Sequence, residues 1–134
     1  MGVDRSLIVV ALVALASAVP LRAADPPITA DEAKDHIGKR VTVCGNVAGV
    51  GHAIASGRGG KQTFLHLERM PPQCPFMAVI VGNDLFGGGM FYDIEKKVEH
   101  KRICVTGYVK RLGEVPMMLL DAPNQLKVED DKAR

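Results

Sequence analysis

An all-β domain, a small closed barrel of five strands with short helices, is what the side-chain rhythm of this 134-residue chain calls for. The stretch Val41-Thr42-Val43-Cys44-Gly45-Asn46-Val47 alternates branched apolar residues with Thr, Cys and Asn, the pattern of a strand with one buried and one more polar face. The rhythm returns as Ile103-Cys104-Val105-Thr106-Gly107-Tyr108-Val109, and each copy follows a Lys-Arg pair. Gly45 and Gly107 stand at the same offset in the two copies and read as bends or bulges where a strongly coiled sheet turns its corner.

The first residues fall outside that barrel. Met1 to Ser6 carries Arg5, residues 7–19 are almost wholly apolar, and Pro20 interrupts before Leu21-Arg22-Ala23-Ala24. This is the layout of a secretory signal peptide. The apolar run is short for a membrane span and no second run follows. Residues 1–23 are therefore expected to be removed after Ala23, with Ala18 as the alternative because Ala16-Ser17-Ala18 also fits. The domain of residues 24–134 is expected to be periplasmic or secreted, with no stable membrane insertion once the signal is gone.

Within it, Thr29-Ala30-Asp31-Glu32 is a capping box, so a short helix is expected over 29–37, stopped by Gly38 in the left-handed conformation that glycine tolerates. The first strand spans 39–48. Five glycines between 49 and 62, with Arg58 and Lys61 among them, predict a long loop or loose hairpin. The second strand, 63–67, places Phe64 and His66 on one face and Leu65 and Leu67 on the other. Pro71-Pro72-Gln73-Cys74-Pro75 is a turn, and 76–81 a third strand apolar enough to be covered on both faces. Gly87-Gly88-Gly89 breaks the next region, leaving a short helix within 90–98. The fourth strand runs over 102–111, a tight turn over 112–114, and the fifth over 115–120, resumed at 125–128 after the Asp121-Ala122-Pro123-Asn124 break. The charged tail from Glu129 is expected to fray.

Charge and cysteine usage narrow the function. The 17 basic and 15 acidic residues become 15 and 14 once Arg5, Arg22 and Asp4 are removed, a net charge of +1. A nearly neutral domain lacks the broad basic field of non-specific phosphate binders, so any nucleic-acid contact depends on local placement. Three cysteines in an exported chain suggest one bonded pair and a remainder. Cys44 and Cys104 share the same alternation phase in two strands expected to be neighbours, which makes them the natural pair; three free thiols are the alternative. Cys74 is then the remainder, and the chain is a monomer or a Cys74-linked dimer. His36, His52, His66 and His100 are too scattered for a metal spacing, and the cysteines form no CxxC pair, so no metal or other cofactor is expected. Neither a Gly-x-Ser-x-Gly turn nor a phosphate-loop lysine followed by Ser or Thr is present. The expectation is a protein that is not an enzyme.

Five strands, a helix between the third and fourth, and a glycine in the first strand resemble the OB-fold, a Greek-key barrel that binds oligonucleotides or oligosaccharides. His36-Ile37-Gly38-Lys39-Arg40-Val41-Thr42-Val43-Cys44-Gly45-Asn46-Val47, followed by Phe64-Leu65-His66-Leu67, is similar to the opening of the anticodon-binding OB domain of aspartyl-type tRNA synthetases. That resemblance implies that Phe64 stacks on a base, with His66 where the family usually has an acidic residue. From Thr29 to Val128 the chain more closely resembles small exported bacterial OB-fold proteins of nucleic-acid-binding type. The matching pieces are His36-Ile37-Gly38-Lys39, Val43-Cys44-Gly45, Phe64-Leu65-His66-Leu67, Cys104-Val105-Thr106-Gly107 and Pro123-Asn124-Gln125-Leu126-Lys127-Val128.

The candidate ligand-binding residues are Phe64, His66, Tyr108, Arg58, Lys61, Lys110 and Arg111. A base laid on an aromatic ring is stabilised by about 1–3 kcal/mol; the plainer role for Phe64 is packing under the first loop. Tyr108 is the other strand aromatic placed for a polar face. Arg58 and Lys61 border one loop and Lys110 and Arg111 another, and in OB-folds those loops flank the binding face. The expected ligand is single-stranded nucleic acid or another anionic oligomer, the alternative a protein partner in the envelope met by a sheet edge or loop.

Overall fold

The computed structural model of the protein describes Gly2 and residues 25–54, 61–81 and 91–129. Apart from Gly2 the expected signal peptide, together with Arg58 and the tail beyond Glu129, lies outside the described residues, as does the side chain of Lys61. In chain order the elements are β1 (Ile28–Thr29), a 3-10 helix (Asp31–His36), β2 (Arg40–Ile54), β3 (Lys61–Leu67), β4 (Phe76–Val81), α1 (Phe91–Val98), β5 (Arg102–Tyr108), β6 (Lys110–Leu112), β7 (Val115–Leu120), a 3-10 turn (Pro123–Gln125) and β8 (Leu126–Val128).

These form one mixed sheet in the order β6-β7-β4-β3-β2-β5-β8, with β1 parallel to β2. Its five inner members, β7-β4-β3-β2-β5, have the OB-like arrangement: a meander of β2, β3 and β4, then α1, then β5 returning to the far side of β2, and β7 parallel to β4. The all-β expectation holds, with eight strands rather than five. β1, β6 and β8 are short additions at the periphery, and Val109 divides the expected fourth strand into β5 and β6.

Alternation decides what goes inside. Val43, Leu65, Leu67, Phe76, Ile103, Val105, Met118 and Leu120 form the core, with Ala33 from the 3-10 helix and Ile94 and Val98 from α1. Ile94 and Val98 stand one helical turn apart on the same face of α1, the spacing that lets eight residues anchor to a sheet.

Three local expectations change. The first helix is 3-10, although its box forms: the Glu32 N–H donates to Thr29 Oγ1 at 3.3 Å, and the Thr29 hydroxyl and N–H donate to Glu32 Oε1 at 2.9 and 3.4 Å. Gly38 follows at φ 82°, as the stop signal requires. β2 continues to Ile54 through residues whose glycine content reads as loop, because Gly49 to Ile54 pair in register with His66 to Lys61. The glycines at 45 and 107 are not bulges. Both lie in regular ladder positions, and the one register shift in β2 falls between Val47 and Gly49. A Cβ at 45 would meet Glu68 Oε1 at 2.7 Å, and one at 107 would meet Gln125 Nε2 and Met118 at 3.1 Å, so close approach of neighbouring side chains is the reason for both.

Candidate binding site at the barrel seam

The β2–β5 ladder sets the site. Cys44 stands directly opposite Cys104 and the two are joined by a disulfide, as expected from their shared phase. Antiparallel pairing then fixes every other partner on that outward face: Thr42 opposite Thr106, with the hydroxyls 2.8 Å apart, and Arg40 opposite Tyr108. The Arg40 guanidinium carbon sits 6.0 Å from the Tyr108 ring centroid, within cation–π range. At the other end Glu129 Oε1 lies 3.2 Å from Cys104 Sγ while Oε2 accepts from Arg102 Nε at 2.9 Å. Cys44, Cys104 and Glu129 thus bring three donor-type atoms within 4.8 Å, but the bond between the sulfurs removes both thiolates a metal would need.

No ladder joins β5 to β7 among the described residues, and the gap is spanned by one side chain. Gln125 Nε2 donates to Thr106 O of β5 at 3.1 Å and to Leu119 O of β7 at 3.3 Å; its Oε1 accepts from the N–H groups of Asp121 and Ala122 at 2.8 and 2.9 Å. Two donors and two acceptor sites are all that an amide has, so Gln125 is fully used and holds the seam rigid.

Above this seam opens a cavity of about 270 Å³. It is lined by Arg40 of β2, Gly107 and Tyr108 of β5, Lys110 of β6, Leu119 of β7, and Asp121 and Gln125 of the segment that follows. Tyr108 is 57% exposed and Leu119 39%, so ring and apolar wall are both open to a ligand. The structure therefore brings Tyr108 and Lys110 together. Arg111 is exposed but pairs with Pro116 on the opposite face of β6, since adjacent strand residues point opposite ways.

Phe64 and His66 also point outward, but into a different environment. Pairing aligns Phe64, Val79 and Leu119 in one outward row and His66, Met77, Met117 and Lys110 in the next. Phe64 therefore lies two strand spacings, about 10 Å, from Leu119 and the seam cavity. Between them Cys74, Met77, Val79 and Met117 form a second apolar cluster, on which Phe64 itself packs. The Phe64 ring is half-buried there. His66 Nδ1 is buried with no hydrogen-bond partner among the described residues, and burial holds the imidazole pKa below its ordinary value. Cys74 is buried, its thiol donates to Phe76 O at 3.1 Å, and burial pushes its pKa up; this is the setting of an inert thiol rather than of a dimer-forming one. The other histidines stay on separate elements: His36 Nδ1 lies 3.0 Å from Glu32 O, His52 contacts Glu95 and His100 stands beside Glu99.

Sequence reasoning missed Arg40, Leu119, Asp121 and Gln125. Arg40 carried a usable signal, because a Cys44–Cys104 pairing in antiparallel strands places residue 40 opposite residue 108. Asp121 and Gln125 come from an irregular break whose path periodicity does not describe.

No protein-family model matches the chain, and no curated protein sequence matches it. A solved structure assigned as an aspartyl-tRNA synthetase from Leishmania major Friedlin is similar over 77% of this chain, at 11% identity and a TM-score of 0.45. The chain spans only 20% of that protein's length. A second, assigned as a nucleic acid-binding lipoprotein from Klebsiella pneumoniae, is similar over 75% of this chain and 78% of its own, at 18% identity and a TM-score of 0.40. At these identities and scores the likeness says nothing about ligand.

Proposed function

We propose that the protein is an exported, non-catalytic binding module that holds single-stranded nucleic acid, or another anionic oligomer, at the β5–β7 seam. The observation that carries this reading is the exposed Tyr108 ring with Arg40 against it and Lys110 lining the same cavity. A single strand needs a face on which to stack a base and cations to meet its phosphates, and sequence-tolerant binders supply those two things together. Tyr108 takes over the stacking role expected of Phe64, whose ring is engaged by the second apolar cluster. Export is supported by the Cys44–Cys104 bond, since structural disulfides persist in oxidising compartments, and among the described residues no helix is long and apolar enough to cross a membrane.

Titration of the chain lacking residues 1–23 with labelled single-stranded RNA and DNA at several salt concentrations tests the proposal. With Arg40 and Lys110 as the phosphate partners, log affinity is expected to fall against log salt with a slope of roughly −1.4, from about −0.7 per neutralised phosphate. A slope near −3 would add Arg58 and Lys61 to the contact. Absence of binding at low salt would end the nucleic-acid reading in favour of a protein partner.

A further inference from the structure

The seam cavity contains a group that a simple phosphate clamp does not need. Asp121 lines it beside Arg40 and Lys110, and none of the three has an ion-pair partner among the described residues. An ionised carboxylate accepts hydrogen bonds and cannot donate them. It weakens the cavity's attraction for a bare anion, and, exposed and hydrated as it is, it gains most from a ligand whose donors replace that water. Gln125 cannot serve the ligand, because all of its hydrogen-bonding capacity is spent on the seam. The ligand that matches the lining therefore has an anionic group for Arg40 and Lys110, a flat face for Tyr108 and hydroxyl donors for Asp121.

We propose that the cavity is a ribonucleotide subsite: the phosphate meets Arg40 and Lys110, the base lies on the Tyr108 ring against Leu119, and Asp121 accepts hydrogen bonds from the ribose hydroxyls. This deepens the single-strand reading and rests on it for the source of the nucleotide. At about 270 Å³ the cavity is just below the range of small-molecule sites, roughly 300–1,000 Å³, and suits one nucleotide with the remainder of a strand left outside. Because the 2′-hydroxyl is what distinguishes RNA from DNA at a given contact, Asp121 makes the site selective for ribose.

Calorimetric titration of the chain lacking residues 1–23 with 5′-AMP, 5′-dAMP, adenosine and inorganic phosphate tests this, with Asp121→Asn as the variant, an isosteric change at an exposed position. The expected result is that AMP binds roughly tenfold more tightly than dAMP, that Asp121→Asn brings the two within about twofold, and that adenosine and phosphate alone each bind at least about tenfold more weakly than AMP. Equal binding of AMP and dAMP by the unmodified chain, or a ratio unchanged in Asp121→Asn, overturns the subsite. RNA carrying a 5′-phosphate, compared with the same strand carrying a 5′-hydroxyl, identifies the source: tighter binding of the phosphorylated strand places a strand end in the cavity, and equal binding places a free mononucleotide there. The two proposals fail separately. If strands bind through Tyr108 while no mononucleotide does, the subsite is wrong and strand binding stands; if AMP binds with ribose selectivity while no strand does, the reverse holds.

Discussion

The outward faces of the two halves of this barrel are built on opposite principles. Across β2 and β5 the outward pairs are Arg40–Tyr108, Thr42–Thr106 and Cys44–Cys104, a polar ladder held by a covalent bond. Across β3, β4 and β7 the outward residues Phe64, Met77, Val79 and Met117 join Cys74 in a second apolar cluster outside the barrel. One face is wet and covalently locked; the other is closed by packing. A ring and positive charge come together where the halves meet, at the seam that Gln125 bridges and Leu119 borders. The Phe64 ring, expected from its place in the strand to be a stacking face, is half-buried against that outer cluster.

The contrast can be broken most strongly at the disulfide. Replacing Cys44 and Cys104 by Ala releases a cross-link between residues 60 apart and is expected to cost about 2–5 kcal/mol in urea denaturation. A double variant as stable as the unmodified chain would show that the polar half is held by its hydrogen bonds alone.

The packed half is tested by two neighbouring methionines. Met118 points into the barrel and is fully buried, whereas Met117 points outward and is 7% exposed. If the outer cluster is a true core, Met118→Ala and Met117→Ala should both cost about 2–5 kcal/mol. A cost under about 1 kcal/mol for Met117→Ala would reduce the outer face to a loose surface contact.

Smaller in effect is the seam itself. Gln125→Ala leaves two N–H groups and two carbonyls without their partner, for an expected loss of about 1–3 kcal/mol, and should speed amide exchange at Asp121 and Ala122, whose N–H groups Gln125 holds. Unchanged exchange there would mean that the β5–β7 gap is closed by something other than this side chain.

The smallest expected effect is a pH dependence. Burial lowers the His66 pKa in the folded chain, so the unfolded chain binds a proton that the folded one excludes between the ordinary value near 6.5 and the lower folded value. This contribution to stability is fully present above pH 6.5 and declines as pH falls through that window. Urea midpoints at pH 7.5 and 5.5 should differ in that direction, and His66→Gln should narrow the difference.

How much of this was legible varies with how regular the backbone is. β4 was read with its observed bounds because six consecutive apolar residues admit little else, and the disulfide followed from matched alternation phase in a chain expected to be exported. That bond also contained the Arg40–Tyr108 pair, since one opposed pair in an antiparallel ladder fixes the rest. The length of β2 was hidden because Gly49 and Gly51 read locally as loop, whereas their pairing with His66 and Phe64 is a tertiary fact. Asp121 and Gln125 lie in a break with no period, and their part in the seam depends on where β7 and β5 come to rest in space. The burial of Cys74 was hidden for a related reason: a Pro-rich turn suggests exposure, but this one carries its cysteine into the outer cluster.

The central claim is that the ligand is gripped at the wet seam and not on the packed face. The most direct measurement compares Tyr108→Ala with Phe64→Ala in low-salt binding to one labelled single-stranded RNA, with both variants first shown to be folded. Loss of the seam ring is expected to weaken binding by about 1–3 kcal/mol, roughly five- to 150-fold, while Phe64→Ala leaves affinity within about twofold and registers in stability instead. The opposite result, with affinity lost in Phe64→Ala and retained in Tyr108→Ala, would contradict the account and return the ligand to the face of β3 and β4.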